Sequence, residues 1–169
     1  SDLILYDCGV HWFDIIVSLA GERIEAVTAM AAHGAGQINK TAMLAQALIR
    51  LDGGQASLAF DALTEHGGLD ETVVTGTGGT LRSTGPDLNT QPVTLSTAGG
   101  VQTPNLIGQW FDDGFRGTMA ELMCAIEDGR VPEHNAKDNL RSLALTFAAV
   151  ASRHERREVK VGDVRTLPG

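Results

Sequence analysis

The chain has 169 residues, a length that suits one domain with a substantial core. Its 43% hydrophobic and 20% charged residues mark a globular chain rather than a disordered one. Thirteen Lys and Arg against 21 Asp and Glu leave a net charge of −8, which argues against nucleic acid and against an anionic membrane surface, since both require a basic patch.

Leu3-Ile4-Leu5-Tyr6 reads as a short apolar strand beginning almost at the first residue, as if the chain were cut from a longer protein. No basic segment followed by an apolar stretch marks a signal peptide, and no apolar run reads as the roughly 18 residues of a membrane span. The expected location is cytoplasmic. From Gly9 to Ala20 the pattern turns helical, with Val10, Phe13, Ile16, Val17 and Ala20 at three- and four-residue spacing, and Gly21 ends the helix. Ile24 to Ala32 reads as a strand.

The middle is β-rich. Ala42 to Leu51 carries apolar residues on both parities, Asp52-Gly53-Gly54 is a turn, and Gln55 to Leu63 is the return strand of a hairpin. Thr72 to Thr75 and Thr80 to Ser83 form two further runs joined across Gly76-Thr77-Gly78-Gly79, and Pro92 to Ser96 adds another. The last third returns to helix. Thr118-Met119-Ala120-Glu121 has the form of a capping box, and Gly129 stops that helix. Asn135 caps the next, whose stripe is Leu140, Leu143, Ala144, Phe147 and Ala151. Glu158 to Val161 is a final strand.

This order predicts an α+β fold: an open-faced, largely antiparallel sheet with helices packed on one face, over a single domain spanning 1–169. The doubly apolar strand at Ala42 to Leu51 then needs a cover on its second face, most simply another copy of the chain. Cys8 and Cys124 read as two buried free thiols, with one long-range disulfide possible but not implied, and no spacing suggests a metal site.

The densest polar constellation is Asp7-Cys8-Gly9-Val10-His11-Trp12-Phe13-Asp14. At a strand-to-helix junction Asp7, His11 and Asp14 would lie on one side of the first helical turn. A carboxylate beside an imidazole orients the ring and raises its basicity, which suits proton transfer. The bland alternative has Asp7 capping a helix and His11 as an ordinary helical residue. Gly76-Thr77-Gly78-Gly79 is followed by β-like residues, so it reads as a hairpin turn rather than a phosphate cradle. His33, His66, His134 and His154 each stand alone and read as surface or capping residues.

The Asp7 to Asp14 segment resembles the D-x-G-x-H-x-x-D motif that opens the C-terminal domain of the Gfo/Idh/MocA oxidoreductases. Gly114 to Pro132 is similar to the family's late helix and the turn after it. Ala136 to Ser152 is similar to the helix that follows, and Thr75 to Leu81 to a paired-strand motif. The resemblance implies a C-terminal domain like that of the dihydrodipicolinate and glyceraldehyde-phosphate dehydrogenases. It implies a two-domain enzyme that uses NAD or NADP on a sugar, polyol or related hydroxy compound and forms dimers or tetramers through the sheet face. Carried over, His11 is the acid/base group, Asp7 orients or polarises it, and Asp14 is structural. The Rossmann domain and the family's Glu-Lys-Pro segment have no counterpart in the sequence. The chain is therefore expected to be a fragment of the longer protein, inactive alone and without a cofactor of its own. Two alternatives stay open: a non-catalytic dimerisation or ligand-binding module, and a relative that uses NAD for glycoside cleavage.

Overall fold

A computed structural model describes residues 2–168. The chain opens in a helix, where a strand was expected over 3–6. The carbonyl of Asp2 accepts hydrogen bonds from the N–H groups of Leu5 and Tyr6, both at 3.0 Å, and so starts the first turn. A π-helical segment, Ile4–Gly9, runs directly into α1, Val10–Ala20, and a 3₁₀ turn at Gly21–Arg23. A four-residue apolar run does not by itself separate a strand from a buried helix. Here the burial of Ile4 and Leu5 in the hydrophobic core, with Phe13, Val27 and Leu145, decides for helix. Contrary to the sequence expectation, Ile4–Arg23 is long and apolar enough to cross a membrane, with mean hydropathy 1.3. In this fold it packs Leu5, Phe13 and Ala20 into the interior.

The remaining elements are β1 (Ile24–Ala32), β2 (Leu44–Leu51), β3 (Gly54–Asp61), β4 (Asp70–Gly76), β5 (Gly79–Gly85), β6 (Val93–Thr97), β7 (Gly100–Gln102), α2 (Trp110–Glu127), α3 (Ala136–Glu155) and β8 (Val159–Lys160). They form two compact units, Ser1–Leu63 with His134–Gly169, and Thr64–Glu133.

The first unit holds an antiparallel sheet in the order β3-β2-β1-β8. β2 and β3 pair from Leu44↔Asp61 to Leu51↔Gly54 around a tight turn. Gly53 takes φ 75° there, a conformation that disfavours any side chain. Period-2 alternation sends Val27, Ala29, Ala45, Ala47 and Ile49 inward, where they meet Phe13 of α1 and Leu145 and Ala149 of α3. The other parity faces outward, leaving Met30 61% and Leu48 64% exposed. α3 starts where expected: the Asn135 side-chain oxygen accepts from the N–H groups of Lys137 and Asp138, each at 3.1 Å.

The second unit holds an antiparallel meander, β4-β5-β6-β7, and α2. The α+β class and the antiparallel pairing agree with the sequence reading, with the strands divided between two sheets. The expected capping box is not one. α2 begins at Trp110, so Thr118 lies inside it and donates to the carbonyl of Gly114 at 3.0 Å. The N-terminal turn is tied by Asp113, whose carboxylate accepts from the N–H of Gln109 at 2.6 Å. Gly129, at φ 64°, follows the helix end as expected.

Candidate functional site

Asp7 and His11 sit at a π-to-α junction within one continuous helix, which replaces the expected strand-to-helix junction. The π segment has a short-run geometry that recurs at functional sites. It also brings Gly9 into the interior. A Cβ on Gly9 would lie 3.2 Å from Phe13 Cε2 and 3.3 Å from the Ile4 carbonyl oxygen, so a larger residue would press directly on the core.

Asp7 and His11 both present exposed side chains. Among the described residues, no hydrogen bond joins one to the other or engages either nitrogen of the His11 ring. Rings hold His11 on one side. Its centroid lies 6.5 Å from that of Trp12 at an interplanar angle of 74°, and Trp12 in turn meets Phe60 of β3 edge-on at 5.9 Å and 86°. Asp14 turns the other way: its carboxylate accepts a short hydrogen bond from the hydroxyl of Ser142, joining α1 to α3. Cys8 and Cys124 are free thiols but exposed, where burial was expected. Partial desolvation still pushes the Cys8 thiol above its ordinary pKa, and the charge of Asp7 adds to the rise. Asp7 therefore already acts on a neighbouring titratable group.

A second polar cluster was not anticipated. The Asp2 carboxylate, 6% exposed, faces Arg153 Nη1 at 2.5 Å and His154 Nε2 at 2.8 Å. His154 is thus a partner of a buried carboxylate rather than the isolated residue read from the sequence. Among the described residues the buried Tyr6 hydroxyl has no hydrogen-bond partner, and its ring meets Phe147 edge-on at 6.3 Å. Burial first, and the Asp2 charge second, push the Tyr6 phenol upward. No local signal marks this cluster, because Asp2 and its partners are separated by almost the whole chain.

Toward the C-terminal end of α1, a cleft of about 290 Å³ is lined by Val17, Ile24, Leu140, Ala144 and Val161. Glu22 and Arg141 form a 2.6 Å ion pair beside it. Among the described residues, no group of three or more His, Cys, Asp or Glu is gathered to hold a metal ion.

The antiparallel α+β arrangement matches the C-terminal domain fold of Gfo/Idh/MocA-type oxidoreductases. Residues 1–82 match the model of the GFO/IDH/MocA C-terminal domain. Solved structures share its fold. One is an oxidoreductase from Agrobacterium radiobacter in complex with NAD+, L-tartaric acid and magnesium: 20% identity, TM-score 0.76, covering 92% of this chain and 48% of that one. Another is the WlbA dehydrogenase from Bordetella pertussis in complex with NADH and UDP-GlcNAcA: 19% identity, TM-score 0.70, covering 93% of this chain and 44% of that one. A third is an oxidoreductase domain protein from Kribbella flavida: 20% identity, TM-score 0.75, covering 94% of this chain and 51% of that one. The chain thus spans about half the length of these structures. No curated protein sequence matches it.

Proposed function

We propose that this chain is the substrate-binding and oligomerisation domain of an NAD(P)-dependent oxidoreductase that acts on a sugar, polyol or related hydroxy compound. The observation that carries the reading is the exposed His11, one turn from the exposed Asp7, on a helix locked into the core by Phe13 and Asp14. The match of residues 1–82 to the GFO/IDH/MocA C-terminal domain and the NAD+ and NADH of the structural neighbours support it.

His11 would carry the proton at the reacting hydroxyl. A neutral imidazole offers one acceptor nitrogen and becomes a donor once protonated, so a single ring can take the proton and return it. A dinucleotide does not fit the glycine-rich segment of this chain. Gly76 and Gly79 pair across a β hairpin, whereas a pyrophosphate cradle opens a helix. NAD(P) would therefore be held mainly by residues outside this sequence. Self-association through the outward face of the first sheet, and a cytoplasmic location, belong to the same reading.

The test is turnover by the longer protein with NAD or NADP and a panel of polyols and sugar derivatives. His11→Ala should lower kcat by about two to four orders of magnitude and leave dinucleotide affinity unchanged. Near-normal turnover in that variant overturns the assignment. Calorimetric titration of the chain alone should show no saturable binding of NAD or NADP at micromolar concentration.

A further inference from the structure

We infer that Trp12 is the positioning residue of His11, anchored through Phe60 to the core of the first unit. The inference rests on the reading of His11 as the proton carrier. Neighbouring residues on a helix project about 100° apart and do not ordinarily face each other. The edge-on contact between His11 and Trp12 is therefore steadier where a second ring also holds the indole. Phe60 does this, at 5.9 Å and nearly perpendicular. Phe60 itself sits on the inward parity of β3, opposite Ala45 of β2, and packs against the buried cluster. The line from core to Phe60 to Trp12 to His11 is a series of apolar ring contacts within the range of favourable aromatic pairs.

Metal-binding and triad histidines are commonly oriented through a hydrogen bond to one ring nitrogen, which removes that nitrogen from further use. Here a ring contact lies beside the imidazole, and among the described residues no hydrogen bond engages either of its nitrogens. A proton carrier that must meet a hydroxyl without a fixed partner of its own is well served by that arrangement. Trp12 touches no reacting atom in this account and acts only through the orientation of His11.

The test reads the His11 ring directly, by proton NMR of the full chain, with the Cε1 and Cδ2 signals assigned from their loss in His11→Gln. In Trp12→Leu these signals should move, and in Trp12→Phe they should move less. The deciding variant is Phe60→Leu, which lies one ring beyond the Trp12 contact. It should displace or broaden the His11 signals, and Phe60→Tyr should restore them. Leu58→Ala, on the same parity of the same strand, controls for general repacking and should leave them in place. Unmoved His11 signals in Phe60→Leu, or equal movement in Leu58→Ala, would overturn the inference. Should Phe60→Leu fail to fold, an equal displacement in Trp12→Phe and Trp12→Leu overturns it instead. No turnover is involved, so this result is independent of the kinetic test of His11.

Discussion

The hydroxyl of Ser152 on α3 accepts a hydrogen bond from the N–H of Ala29 on β1 at 2.9 Å, and donates one to the carbonyl of Arg157 at 2.6 Å. β8 pairs with β1 only at Ala26 and Val27, so the ladder on that edge stops short of Ala29. Ser152, fully buried, takes the place of the missing strand. Ser152→Ala strands a buried backbone donor, which costs about 1–3 kcal/mol. Urea unfolding of the chain should show a loss of that size with an unchanged m-value, and an unaltered midpoint would refute the role.

Asp2 holds the start of the opening helix to the end of α3. Its carboxylate is more deeply buried than either partner, with Asp2 at 6%, Arg153 at 23% and His154 at 38% exposure. Removing Arg153 leaves the buried carboxylate with His154 alone, whereas removing Asp2 leaves two more exposed side chains that turn readily to water. Arg153→Met should therefore destabilise more than Asp2→Asn, with the latter losing about 1.5–3 kcal/mol of charged hydrogen bonding. Thermal unfolding of the two variants checks the order.

Cys8 offers a chemical reading of its surroundings. Its thiol is raised by desolvation and then by Asp7, so at a given pH it holds less thiolate than an ordinary cysteine. Asp7→Asn removes the second cause and lowers the thiol again. Alkylation of Cys8 by iodoacetamide at pH 7.5, followed by peptide mass spectrometry, should accelerate by less than about tenfold, the equivalent of one pKa unit. A slower reaction in Asp7→Asn would contradict the sign.

The outward face of the first sheet exposes Met30 and Leu48 among small and polar neighbours such as Thr28, Gln46 and Ser57. If two copies meet there, Leu48→Lys and Met30→Lys each place a charge in the interface and weaken assembly without touching the core. Sedimentation velocity should give a dimer or larger species for the parent chain and a shift toward monomer for both variants. A parent chain that is monomeric at micromolar concentration rules out this surface as a strong interface.

What the sequence by itself determined is local. The β2–β3 and β4–β5 hairpins are legible because Asp52-Gly53 and Gly76 to Gly79 have the backbone freedom that tight turns require, between runs of β-like residues. The start of α3 is legible because Asn135 caps through its own side chain. The Asp7 to His11 spacing is legible because it lies within one helical turn. Tertiary structure decided the rest. Leu3 to Tyr6 carries no periodicity long enough to separate helix from strand, and only burial of Ile4 and Leu5 settles it. The N-terminal half of α2 is masked by Gly114 and Gly117, which lower helix propensity, so the Thr118 box reads as a start. The sheet partners of β8, the Ser152 bridge and the Asp2 cluster join residues more than a hundred positions apart. Such contacts depend on how the packed layers meet, and no local pattern of side chains encodes that.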